Sequence, residues 1–185
     1  MWFAILAALA LIVIYFISIY NVLIKGRIRI DEAWSDIDVQ LKRRYDLIPN
    51  LISTVEGYAK HEKSLFTEVT KARTAAMQAH GAGDLAKSAD AENMLSRALS
   101  GLMVQVENYP QLKANENFLD LQNELSDTEN KIQASRRFYN STVRDYNTKC
   151  KMFPSNIVAD TFNFKTREFF DVTDVKEREN VKVKF

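Results

Sequence analysis

Cysteine is nearly absent: Cys150 stands alone, so no disulfide framework can form within the chain. Glycine and proline are scarce as well, five and three in 185 residues, which argues against a loop-rich or all-β protein. Neither sign of charge is in surplus. Twenty-five Lys and Arg stand against 24 Asp and Glu, and the net charge of +1 removes the field that would draw nucleic acid to the whole surface. Nor is the chain short of apolar residues: 46% are apolar and 26% charged, which excludes disorder for the bulk of it. The length allows one ordinary domain with an appendage.

What is present is unevenly spread. Trp2 to Ile24 is a run of 23 residues without one charged side chain. At ~1.5 Å per residue a helix of that length reaches roughly 35 Å, enough to cross a hydrocarbon layer of ~30 Å. Trp2 and Tyr20 lie near its ends, where aromatic belts sit. A buried core helix would be shorter. A cleaved signal peptide would have a positive n-region and its small-residue site after the run, whereas Ala8-Leu9-Ala10 lies inside it. The run therefore reads as an uncleaved anchor. Lys25, Arg27 and Arg29 follow it directly, so the positive-inside tendency predicts an outside N-terminus and a cytoplasmic C-terminal part.

Beyond the anchor the apolar period is helical. Ile30, Trp34, Ile37, Leu41, Tyr45 and Ile48 recur at three and four, and the stripe keeps its phase past Pro49 through Ile52, Val55, Phe66, Val69, Ala72 and Ala76. Pro49 is compatible with a kink in one helix or with a corner between two. Gly81-Ala82-Gly83 is a stop, and Asp84 suits the cap of a next helix. That helix carries Met94, Leu95, Ala98, Leu99, Leu102 and Val106 and ends at Tyr109-Pro110. A third, long segment carries Phe118, Leu121, Leu125, Ile132, Tyr139, Val143, Tyr146 and Cys150. Short turns between long helices predict an all-α, antiparallel up-and-down bundle on a membrane stalk. The last 30 residues alternate instead: Phe162 with Phe164, then Val181, Val183 and Phe185 between lysines, with Phe169-Phe170 adjacent. Alternation predicts an extended tail. The expected organisation is an anchor over 1–24, a bundle over 25–156 and a tail over 157–185.

Chemistry is hard to find. His61-Glu62-Lys63 opens like a zinc-protease helix motif, but Leu65 stands where the second histidine is needed. The residues three before His61 and His80 are Tyr58 and Met77, so the Glu-x-x-His pairs of a di-iron bundle are missing. Gly81-x-Gly83 lacks the rest of a phosphate loop, and Cys150 lies on an apolar stripe as a small hydrophobe. No catalytic residue, metal site or cofactor is expected.

Two polar clusters remain. Lys42-Arg43-Arg44-Tyr45-Asp46-Leu47-Ile48-Pro49-Asn50 reads either as a solvated basic turn or as a contact for headgroups or a partner's acids; Arg43, Arg44, Pro49 and Asn50 are its candidate residues. Glu116, Asp120, Glu124 and Glu129 on the third segment are candidate mates for the arginines. The second cluster, Arg136-Arg137-Phe138-Tyr139-Asn140 followed by Tyr146-Asn147, repeats Tyr-Asn one heptad apart. Arg136, Tyr139, Asn140, Tyr146 and Asn147 read as a register-fixing polar layer or as a binding site.

These clusters carry a resemblance. Asp31-Glu32-Ala33-Trp34 through Arg43-Arg44-Tyr45-Asp46-Leu47-Ile48-Pro49-Asn50-Leu51, His61-Glu62 and Val69-Thr70-Lys71-Ala72-Arg73 resemble the LemA family of bacterial membrane-anchored proteins. Glu107-Asn108-Tyr109-Pro110, Arg136-Arg137-Phe138-Tyr139-Asn140, Tyr146-Asn147 and Phe153-Pro154-Ser155-Asn156 continue it in order. The resemblance implies an N-terminal membrane helix followed by a four-helix bundle, with Pro49 at a helix boundary or pronounced kink. Magnetosome-membrane proteins that resemble this family add a hint of membrane organisation. It brings no catalytic residues.

The expected function is that of a non-enzymatic, single-pass scaffold or organiser in the bacterial inner membrane. The alternative is an accessory subunit that binds another membrane protein, a protease or transporter, through its bundle. Expected partners are lipid and further copies of the chain. Phe162, Phe164, Phe169, Phe170, Val181 and Val183 supply more apolar surface than a short tail buries on itself, so they are the expected subunit contacts.

Overall fold

The computed structural model describes residues 1–59 and 62–170. Helices α1 (Trp2–Glu56), α2 (Lys63–Gly81), α3 (Leu85–Val106), α4 (Pro110–Lys113), α5 (Glu116–Lys151) and α6 (Ser155–Thr161) make up the architecture, with no strand among the described residues. The chain divides into two compact units, and both α1 and α5 contribute to each. One unit comprises Met1–Asp38 and Gln133–Phe169; the other comprises Val39–Ile132 together with Phe170.

Helix α1 runs through Pro49 without ending there, so of the boundary or kink that the resemblance implies, the boundary is excluded. The balance of terms explains it. An interior proline costs about 3 kcal/mol. Ile48, Leu51 and Val55 around it are at most 2% exposed, and each buried side chain of that size contributes about 1.5–3 kcal/mol. Pro49 itself is exposed, so its ring does not interrupt the buried stripe. The corner lies instead after Glu56, at Gly57, where the Tyr58 and Ala59 amides both donate to the Val55 carbonyl at 3.0 and 2.9 Å.

In the second unit α2 and α3 pack antiparallel: Leu65, early in α2, stands 3.9 Å from where a Gly101 Cβ would sit late in α3. Asp84 caps α3 as its sequence suggests, accepting the Lys87 amide at 3.0 Å after a left-handed Gly83 (φ 72°). Helix α3 buries Leu95, Ala98, Leu99, Leu102 and Val106, but Met94 is exposed. Met94 falls one position outside the arc of the stripe; Glu92 and Ser88 occupy it instead. In α5, Leu121 and Leu125 are only half-buried, while Phe118, Thr128 and Ile132 are buried.

In the first unit Leu23, Ile30, Ala33 and Ile37 of α1 are buried, as are Tyr139, Val143, Tyr146 and Cys150 of α5. The expected extended tail starts too early: residues 157–161 belong to α6, whose Val158 and Ala159 are buried. Two adjacent apolar residues on one face suit a helical turn, and Asn163 at φ 56° marks its exit. Residues 162–170 are irregular. Val181 and Val183 lie outside the described residues.

Candidate functional site

The first polar cluster is built on consecutive residues of α1. Leu41, Tyr45 and Ile48 set the buried face, and Arg44 falls beside Tyr45 on that face. Arg44 is wholly buried. Its guanidinium donates to Glu92 of α3, to Glu129 of α5 at 2.5 Å and to Ser96 at 3.1 Å. Glu92 is also wholly buried and accepts in addition from the Tyr45 hydroxyl. Arg73 of α2 closes the arrangement by donating to the Tyr45 carbonyl at 2.7 Å. Arg43, half-exposed, pairs with Glu124. Arg44 thus ties α1 to α3 and α5, through Glu129, one of the acids expected on α5, and through Glu92, which was not anticipated. Two carboxylates share one guanidinium, and Glu129 keeps a third of its side chain in water. A buried ion pair needs well-placed partners to offset desolvation; Nη1 and Nη2 of Arg44 have them, while Nε is buried without a hydrogen-bond partner. Pro49 and Asn50 are exposed and take no part.

Glu92 escaped the sequence reading, yet its signal was present. It lies at the spacing of Ser88, Leu95, Leu99 and Leu102, the one acid in the phase of the buried stripe.

The second cluster, in the first unit, holds the chain that follows α6. The Asn147 side-chain amide donates to the Arg167 carbonyl and accepts from the Arg167 amide, both at 2.8 Å, as a strand neighbour would. The Tyr139 hydroxyl donates to the Glu168 carbonyl at 3.1 Å, and its ring packs against Trp34 at 5.5 Å. Arg167 reaches Asp31 of α1 at 3.0 Å. Tyr146 lies against Gly26: a Cβ there would stand 3.0 Å from its ring, so glycine is what lets ring and helix meet. Arg136 and Asn140 are half-buried and partnered. The residues expected to contact another subunit divide. Phe164 is buried in the first unit and Phe170 in the second, while Phe162 and Phe169 remain exposed.

Burial pushes the Tyr146 phenol up from its ordinary 10 to about 12, with the neighbouring Cys150 thiol adding to the shift. Burial raises the Cys150 thiol as well. A raised phenol means that the folded chain holds this proton more tightly than the unfolded chain. The stabilisation is complete below pH 10 and is lost as pH rises from 10 to about 12. Tyr146→Phe, which has no proton to lose, is expected to flatten the fall in stability across that window. Denaturation midpoints of the two chains that decline in parallel would rule this out.

The chain is 26% identical over 168 residues to Protein LemA of Metamycoplasma hominis, covering 89% of this chain and 75% of that protein. It is 24% identical over 159 residues to Magnetosome protein MamQ 2 of Paramagnetospirillum magneticum. The match covers 74% of this chain and spans 58% of that relative's length. Magnetosome protein MamQ of Magnetospirillum gryphiswaldense matches at 23% over the same length. The LemA family model matches residues 33–185, through both polar clusters, and the chain belongs to the LemA family.

Proposed function

We propose that the chain is a non-enzymatic, single-pass membrane organiser that acts by self-association. One observation carries the membrane part: residues 2–18 of α1 are exposed to the last one, in a helix whose apolar window has a mean hydropathy of 2.7. So large an exposed apolar surface is untenable in water and natural in lipid. Lys25, Arg27 and Arg29 orient it with the remaining residues in the cytoplasm. The segments α1 after Val39, α2, α3 and early α5 then make a four-helix, up-and-down bundle, with the Arg44 cluster fixing their register. Organisation as the role is supported by relatives whose names tie them to the magnetosome.

We assign self-association to Phe169 and the residues after Phe170, because Phe164 and Phe170 are already buried within the chain. Extraction in mild detergent followed by size measurement tests the reading. A large homogeneous species of one polypeptide is expected. A monomer, or a stoichiometric complex with a protease or transporter, contradicts it; the second outcome identifies an accessory subunit.

A further inference from the structure

Four apolar side chains in the first unit face solvent close together in sequence: Met152 at 57% exposure, Phe153 at 78%, Ile157 at 44% and Phe162 at 58%. Their level relative to the anchor follows from helix register. Trp34 meets the Tyr139 ring, and Gly26 meets the Tyr146 ring. Eight residues down α1 are thus answered by seven up α5, the signature of antiparallel helices. Another five residues lead from Tyr146 to Lys151, where α5 ends, and, on α1, from Gly26 to about Asn21, inside the uncharged run; Phe153 follows two residues on. A second contact agrees. The Tyr20 ring packs edge-on against Phe162 at 4.9 Å and against Phe164 at 5.5 Å. Phe162 also closes a hollow of about 400 Å³ whose other walls are Ile12, Val13, Phe16, Ile17 and Tyr20.

Basic side chains frame the patch. Lys149 and Lys151 occupy the last turn of α5, Lys165 follows, and Arg27 lies over the Phe164 ring at 5.9 Å. Asp160 is the one acid between residues 149 and 165. Apolar tips with lysines and an arginine behind them match the boundary between acyl chains and anionic headgroups.

We propose that residues 152–162 form a second membrane contact, a wedge that enters the headgroup and acyl boundary beside the anchor, with lipid filling the hollow between Phe162 and α1. This rests on reading Trp2–Ile24 as the span. The wedge fixes the rotation and height of the anchor, so that the chain touches the bilayer at two places instead of hanging from one flexible stalk.

Depth-dependent quenching tests it. The full chain carrying Cys150→Ala and a single NBD-labelled cysteine at position 153, 162, 138 or 9 is reconstituted in vesicles of phosphatidylcholine and phosphatidylglycerol with spin-labelled acyl chains. Position 138 lies 13 residues before Lys151, the end of α5, roughly 20 Å along its axis, and is the water-facing control. Labels at 153 and 162 are expected to be quenched at least about twofold more than at 138 and less than at 9, as a position at the boundary requires. Quenching at 9 alone overturns the wedge and leaves the span intact; no quenching at 9 overturns both. Hydroxyl-radical footprinting of the unmodified chain in the same vesicles guards against misfolded variants. Phe153 is more exposed than Phe138 in the protein alone (78% against 44%), so it should react faster unless covered. The wedge requires the reverse order. Protection of Phe153 without lipid quenching at 153 points to a protein cover and overturns it.

Discussion

Replacing Arg44 by alanine in the full chain is expected to lower its stability by about 3–5 kcal/mol, the largest single loss among the polar residues of either cluster. The reason is what remains behind. Arg44 and Glu92 are both wholly shielded from water. Without the guanidinium, Glu92 keeps only the Tyr45 hydroxyl, too little to replace the hydration it has given up. Arg43→Ala should cost no more than about 1 kcal/mol, because Arg43 and Glu124 are 41% and 38% exposed and water takes over from either. The double replacement Arg44→Met with Glu92→Leu should recover much of the loss, since it leaves no buried charge. Glu129, 34% exposed, can turn to solvent. Denaturant titration in micelles, followed by helical circular dichroism, reads all three. Equal losses for Arg44→Ala and Arg43→Ala would show that the cluster is solvated and does not hold the core.

Phe164→Ala is the second large effect, and it is local. Phe164 is 8% exposed, packs against Tyr20 and lies beneath the Arg27 guanidinium. Truncating a buried phenylalanine removes about 3–5 kcal/mol of packing. Here the loss falls on a short segment held otherwise by Asn147 and Tyr139, so it should open that segment before it melts the helices. Trypsin at Lys165 and Arg167 reports the opening. Cleavage follows the open population, and about 3 kcal/mol corresponds to roughly a hundredfold faster cutting. Phe162→Ala, at an exposed position, should change the rate far less. Equal rates for the two variants would mean that Phe164 does not pin the segment.

Much of this molecule was legible from residue order alone. Helical period is a local property, and the stripe from Ile30 to Cys150 gives helices whose ends Asp84, Gly83 and Pro110 mark by their own backbone chemistry. The apolar N-terminal helix is local too, since no contact is needed to make 23 uncharged residues poorly soluble. The pairing of Arg43 and Arg44 with Glu124 and Glu129 was within reach because helix phase put acids and bases on facing stripes.

Other features depend on partners far away in sequence. Whether α1 bends or breaks at Pro49 is a competition between one lost hydrogen bond and the burial of Ile48, Leu51 and Val55, and the second term exists only once α2, α3 and α5 are in place. Whether Glu92 is a surface acid or the buried mate of Arg44 is decided 48 residues away. The alternation of Phe162 with Phe164 says nothing of where residues 162–169 lie; Asn147 and Tyr139 hold them through backbone carbonyls, which every sequence possesses and none advertises. Residue order by itself determined the helices, the apolar run and the stripes. Only tertiary structure decided which polar groups are taken out of water, because desolvation is a property of everything that surrounds a group.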